Sequence, residues 1–337
     1  MQEALLYTKR KNLDVDCFLC NHFCTIANHR RGLCGVRENR DGVLQSLVYG
    51  KIVAENVDPI EKKPLFHVFP GSRTLSISTV GCNFSCRHCQ NASVSQPGSF
   101  SADAVPGQFR TAEDIVANAV ATGCDSISYT YVEPTIFIEF AIDCMELGYS
   151  KGLRNYFVSN GYMSEEAVKL LLPFLDAINI DLKSFSDSFY RKICAARLQP
   201  VLDTIQSMSD AGVWVEVTTL LIPGLNDSEK ELQEIADFLV SVDPSIPWHV
   251  TGFYPAYKLT ECLATSPESL EKARQIGIAA GLNFVYVGNR PGTGGENTYC
   301  PSCAAELITR RSFSILKDCL KDGRCQYCNY PISGLWG

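Results

Sequence analysis

Three cysteines at CxxxCxxC spacing, Cys82, Cys86 and Cys89, stand directly behind the β-branched and apolar run 74–79, and no other stretch limits the possible folds as strongly. Soft thiolate ligands on so short a loop suit a 4Fe-4S cluster, and three of them leave one iron without a protein ligand. An iron left open can bind a substrate or cofactor, whereas a cluster held by four cysteines mostly carries electrons. Zinc is the competing occupant. It prefers four ligands in paired CxxC or histidine-containing arrangements, and a trio on the loop after a first strand fits that poorly.

At 337 residues the chain can bury one large core and still carry small satellite modules. Its hydrophobic content of 46% and charged content of 20% are those of an ordinary globular protein. No run approaches the roughly 18 apolar residues of a membrane span, and the first nine residues lack the apolar core of a signal peptide. A cytoplasmic protein without membrane contact is expected. The net charge of −7 gives no electrostatic footprint for nucleic acid, and the local cluster Arg30, Arg31, Arg37 and Arg40 reads as a solvated face.

Sixteen cysteines in such a chain argue for metal sites rather than disulfides. Eleven fall into three spaced groups; Cys124, Cys144, Cys194, Cys262 and Cys319 stand apart and read as small buried hydrophobes. Cys17, Cys20, Cys24 and Cys34 place four thiols within 18 residues, enough to enclose a metal without help from a distant part of the fold. This site is expected to be closed and structural, holding zinc or a second cluster, with His22 and His29 outside the ligand set. Cys300, Cys303, Cys325 and Cys328 form two CxxC pairs separated by 21 residues, the pattern of a zinc ribbon, with an auxiliary 4Fe-4S cluster as the other occupant. That tail reads either as a structural staple or as a module near the open end of the core that covers or recruits substrate.

From residue 74 onward, short β-branched runs alternate with helical periodicity, the sign of a parallel sheet built from βα units. Strands are expected at 74–79, 126–130, 156–159, 177–181, 214–220 and 248–253. Thr111 and Ser228 read as helix caps, Pro134 as a first-turn proline, and a last helix is expected over about 267–280. The result is an α/β chain: a partial (βα)6 barrel over 72–290, a Cys-rich module over 1–43, a proline-rich connecting arm over 44–71 and a ribbon-like module over 291–337.

Ligands of parallel sheets sit beyond the carboxyl ends of the strands. Polar residues gather there: Tyr131-Val132-Glu133-Pro134 after the second strand, Ser159-Asn160-Gly161 after the third, and Asp181-Leu182-Lys183 after the fourth.

The cysteine loop resembles the signature of the radical S-adenosylmethionine (SAM) superfamily, with His88 where an aromatic residue usually precedes the third cysteine. Ser159-Asn160-Gly161 and Asp181-Leu182-Lys183 are similar to the glycyl-radical-enzyme activases within it, including pyruvate formate-lyase activating enzymes. Over essentially the full length, residues 17–39, 61–67, 131–135, 253–257 and 295–301 resemble the radical SAM enzymes of the AmmeMemoRadiSam system. The resemblance implies a radical SAM barrel whose Cys82, Cys86 and Cys89 hold the 4Fe-4S cluster and whose Glu133 meets the amino group of SAM. It places Ser159 and Asn160 at the ribose or a nearby cation, Asp181 and Lys183 near the SAM carboxylate, and His88 by the adenine. The usual Gly-Gly-Glu reads Tyr131-Val132-Glu133, so the backbone must approach SAM differently there. Implied is an enzyme that cleaves SAM reductively to a 5′-deoxyadenosyl radical, which abstracts hydrogen from a small molecule or protein side chain. Implied partners are a reductant such as flavodoxin or ferredoxin and the Memo-like and AMMECR-like proteins. An activase forming a glycyl radical on a partner enzyme is the second reading. The third, from a different class, is a zinc-bound scaffold or nucleic-acid module.

Overall fold

Eight strands follow one another across the central sheet in chain order: β1 Ala54–Pro59, β2 Arg73–Ser78, β3 Ser126–Tyr129, β4 Arg154–Ser159, β5 Ala177–Asp181, β6 Trp214–Leu221, β7 Trp248–Gly252 and β8 Val285–Gly288. Every neighbouring pair is parallel except β1 with β2, which run antiparallel. The structure, a computed structural model, describes residues 2–96, 98, 100, 101, 104–289 and 294–337. The boundary expected between 290 and 291 lies outside them.

The sheet has seven parallel strands and an antiparallel edge instead of six βα units. Val285–Gly288 adds a short seventh strand behind the last helix. The arm contributes Ala54–Pro59, whose Glu55, Asn56 and Asp58 hide a strand pattern and whose Pro59 is tolerated because the strand lies at the edge. The boundary expected between 43 and 44 falls inside Val43–Ser46, which pairs with Arg37–Arg40. The rest of the amino-terminal module is a small sheet of Tyr7–Lys9, Val15–Cys17 and Thr25–Ile26.

Among the described residues, six helices of seven or more residues link the parallel strands: α1 Ala112–Ala121, α2 Ile138–Ser150, α3 Glu165–Leu171, α4 Gln199–Asp210, α5 Glu229–Val242 and α6 Pro267–Ala280. Thr111 and Asp114 close a reciprocal capping box at α1, each side chain accepting from the other's backbone N–H. Ser228 caps α5, but the Glu231 carboxylate turns away and accepts from the Ser184 hydroxyl and the Phe185 N–H, tying the helix to the segment after β5. Among the described residues no helix is long and apolar enough to cross a membrane.

The carboxy-terminal module packs at the amino ends of the strands. Phe66, Phe284, Tyr286, Leu307 and Ile332 share one core, and Val68, Tyr156, Ala177, Trp214 and Leu335 share another. Glu216, fully buried, accepts from the Phe66 and His67 N–H groups at 3.0 and 2.8 Å and pairs with His249 at 2.6 Å. His67 lies between the Ser333 carbonyl at 2.7 Å and the Tyr286 hydroxyl at 2.6 Å, and Arg310 donates to the Phe66 carbonyl at 2.8 Å. The arm and tail together seal this end.

Burial holds the pKa of His67 down to about 4. In the unfolded chain the ring takes its proton near 6.5, so its stabilising effect is complete above that pH and is lost as pH falls towards 4, by up to about 3 kcal/mol. The thermal midpoint is therefore expected to fall more steeply between pH 7 and 5 than in His67→Gln, which lacks the titrating ring. Equal slopes would show that the ring does not set the acid limit.

Candidate active site

The cysteine loop leaves β2 at Ser78 and is clamped by main chain from afar. The Ser85 and Arg87 N–H groups donate to the carbonyls of Cys194 and Ile193 at 3.0 and 2.9 Å. Those carbonyls belong to Tyr190–Cys194, a single turn of π-helix, a form that recurs at functional sites. The neighbouring Cys194 thiol, together with burial, pushes the pKa of Cys86 well up. Cys194 was expected to be an inert core residue; it has no spacing relation to the loop, and only the fold brings it there. Phe84 N–H donates to Cys82 Sγ at 3.4 Å, and Cys89 Sγ lies 3.2 Å from Ser95 Oγ.

Cys82, Cys86 and Cys89 line one cavity of 350 Å³ together with His88, Glu133, Ser159, Asn160, Asp181 and Lys183. The rim residues expected from the strand ends thus converge on the cysteine loop. Glu133, 3% exposed, receives four hydrogen bonds: Thr135 N–H at 3.1 Å, Thr135 Oγ1 at 2.5 Å, Ser159 Oγ at 2.8 Å and Asn160 N–H at 2.7 Å. Burial still outweighs these donors and raises its pKa. Ser159 and Asn160 are engaged within the protein, Ser159 with Glu133 and the Asn160 amide with Asn83 Oδ1 at 2.8 Å. Lys183 and Asp181, two apart and so on one side of the strand end, pair at 2.9 Å. Burial works against the Lys183 charge, but Asp181 and the nearby Cys86 and Cys194 thiols prevail and raise its pKa.

One buried polar atom of the lining, His88 Nδ1, has no partner, and Asn83 Nδ2, also unpartnered, lies behind Asn160 of the cavity wall. Burial, helped by the charge of Lys183, drops the His88 pKa to about 3, so the ring is neutral at physiological pH. An unpaired ring nitrogen, a buried carboxylate held by neutral donors and a lysine near the Cys86 thiol form a donor set that fits SAM over a 4Fe-4S cluster.

Lys62, Lys63 and Tyr131 line the far wall of the cavity, of which only Tyr131, a strand-end residue, was legible in the sequence. Asp58 accepts from Lys62 at 2.8 Å, Lys63 at 2.7 Å and the Tyr131 hydroxyl at 2.6 Å, and Lys63 Nζ lies 4.6 Å above the Tyr131 ring. Burial lowers the Lys63 pKa to about 8, against the pull of Asp58. Tyr131 holds a left-handed φ of 67°, which costs a non-glycine residue about 1–2 kcal/mol. Its departure from glycine is therefore maintained by side-chain contacts to the arm.

The outer cysteine groups differ in geometry. Cys300 and Cys328 sulfurs are 3.6 Å apart, and those of Cys303 and Cys325 are 3.7 Å apart. Four sulfurs at about 2.3 Å from a tetrahedral zinc stand about 3.8 Å from one another, so this set matches zinc. The module lies at the sealed end of the sheet, opposite the rim, which removes the reading in which it covers the substrate opening. The four cysteines of the amino-terminal module instead lie against the rim. Cys20 bridges Met163, and His22 Nε2 is 2.8 Å from the Asn83 carbonyl within the cysteine loop. Gly81, at φ 95°, allows this approach: a Cβ there would stand 2.5 Å from Val36 Cγ1 and 2.9 Å from the Cys34 carbonyl.

The radical SAM superfamily profile matches residues 76–239. An uncharacterised protein of Methanocaldococcus jannaschii is 43% identical over 98% of this chain and 99% of its own length. The pyruvate formate-lyase-activating enzyme of Clostridium pasteurianum is 22% identical over 56% of this chain and 81% of that protein. Among solved structures, a radical SAM methyltransferase from Sphaerobacter thermophilus shares the fold with a TM-score of 0.51 at 17% identity, covering 67% of this chain and 68% of that one.

Proposed function

Since the chain belongs to the radical SAM superfamily and is a radical SAM enzyme using a 4Fe-4S cluster and SAM, we propose that Cys82, Cys86 and Cys89 hold that cluster and that the surrounding cavity binds SAM. The convergence of all three thiols, His88 of the same loop and five rim residues on one cavity of 350 Å³ carries this reading. When bound, the reduced cluster supplies the electron that splits a carbon–sulfur bond of SAM, giving methionine and a 5′-deoxyadenosyl radical that takes a hydrogen atom from substrate.

The chain's own residues orient and shield. Glu133, held by Ser159, Thr135 and the Asn160 N–H, receives the ammonium of SAM; Lys183, kept charged by Asp181, neutralises the carboxylate. The neutral His88 donates or accepts at the adenosine, with Asn160, tied to Asn83, and Ser159, tied to Glu133, beside the ribose. Tyr131 and Lys63 bound the remaining space, where substrate enters. The hydrogen donor is a small molecule or a protein side chain, and we assign a flavodoxin or ferredoxin as reductant and Memo-like and AMMECR-like proteins as working partners.

The activase reading keeps its place because pyruvate formate-lyase-activating enzymes stand among the relatives and Asp181-Leu182-Lys183 lies at the rim. An anaerobic assay separates the two. With dithionite and SAM, 5′-deoxyadenosine formation should rise several-fold when a small-molecule fraction of cell extract is added. A rise with the protein fraction alone, accompanied by a glycyl-radical signal, would replace this reading with the activase.

A further inference from the structure

Among the described residues, no three sulfurs of Cys17, Cys20, Cys24 and Cys34 are grouped as tightly as the ligands of a single zinc ion. Among the described residues, the carboxy-terminal four are the one set of cysteine, histidine or carboxylate ligands whose atoms all lie within 4.8 Å of one another. Neither the amino-terminal four nor the trio Cys82, Cys86 and Cys89 draws three sulfurs that close. The chain thus contains its own two standards. The tail shows how its thiols stand when arranged for one tetrahedral ion, and the loop shows how they stand for a four-iron cluster, whose ligands each go to a different corner.

The amino-terminal four are nonetheless neighbours, with Cys34, Cys17 and Cys24 each within electrostatic reach of Cys20. Arg37, buried and paired with Glu139 of α2, donates to Cys17 Sγ at 3.6 Å and to the Leu5 carbonyl at 2.8 Å. A fixed guanidinium beside the sulfurs stabilises the negative charge of a thiolate-bound cluster.

Position adds a role. Cys34 and Cys82 line the same cavity of 810 Å³, together with Arg30 and Arg31, so the two thiol sets face one space. On the outer side, Phe23 is 57% and Leu33 71% exposed, next in sequence to Cys24 and Cys34. A basic, partly apolar edge on a chain of net charge −7 suits an acidic one-electron carrier.

We propose that Cys17, Cys20, Cys24 and Cys34 hold a second 4Fe-4S cluster that passes electrons from a flavodoxin-class carrier to the SAM-binding cluster. One electron enters from the reduced carrier, which is oxidised, and the same electron leaves to the inner cluster; no bond changes and no atom is transferred. The relay rests on the proposed role of Cys82, Cys86 and Cys89, whereas the identity of the second cluster does not.

Metal and sulfide analysis of the full chain, purified anaerobically, tests the cluster. About eight iron and eight sulfide with about one zinc per chain are expected, and Cys86→Ala should keep about four iron and a reduced-cluster EPR signal that SAM leaves unchanged. Four iron and two zinc in the parent chain, with no iron in Cys86→Ala, would overturn it. Cys24→Ala tests the relay, using retained zinc and a SAM-sensitive EPR signal as proof of folding. Flavodoxin-driven 5′-deoxyadenosine formation should fall at least about tenfold while dithionite-driven formation stays within about twofold. Equal rates with both reductants, whether lowered or not, would overturn the relay. Persistence of SAM cleavage in Cys86→Ala would count against the inner site, separately from either result.

Discussion

Cys86→Ala is expected to take 5′-deoxyadenosine formation below detection, a loss on the order of 10³-fold or more, with the fold intact. The thiol is buried beside Cys194, and on the proposed assignment its removal would delete one of three cluster ligands where none is to spare. The loop itself is held by main chain, through the bonds from Ser85 and Arg87 to the Tyr190–Cys194 turn, and those survive the substitution. Loss of one small buried sulfur costs the fold only about 1 kcal/mol. Chromatography of the reaction products, with zinc content and far-UV circular dichroism as fold controls, checks the outcome. Undiminished cleavage would refute the assignment of this loop.

Glu133→Gln is expected to weaken SAM binding by about 100-fold, close to 2.7 kcal/mol. Four donors point at the carboxylate, so an amide must turn its own N–H₂ group against at least one of them. The substitution also removes the negative charge that an ammonium would meet in a buried setting. Ser159→Ala deletes one of the four donors and should cost several-fold only. Equilibrium titration of SAM against the reduced protein reads both. Parent-like affinity in Glu133→Gln would remove this residue from the cofactor site.

The parallel strands 126–129, 177–181 and 214–221 were legible because strands buried on both faces read as near-continuous apolar or β-branched runs. The rim was legible through the rule that ligands gather at carboxyl ends, which located Glu133, Asn160 and Lys183 before any coordinates. What escaped was held by tertiary contact. Lys63 reaches the cavity, held by Asp58, because an edge strand runs antiparallel to β2, and no periodicity announces an edge strand made of Ala-Glu-Asn-Val-Asp-Pro. Cys194 meets Cys86 through one irregular helical turn. The tail's position escaped for the same reason: CxxC pairs reveal a metal site but not the end of the sheet against which it packs.

That position has a consequence for how the molecule is made. The contact between His67 and the Ser333 carbonyl spans 266 residues, and Leu335 bridges Val68 from equally far along the chain. Contacts of such sequence separation form late, after the strands they cover. During synthesis the floor of the sheet, with Tyr156, Ala177 and Trp214 on it, stays uncovered until the segment around Leu335 has emerged and packed. A chain in which that segment fails to dock would leave this apolar patch open to other exposed apolar surfaces.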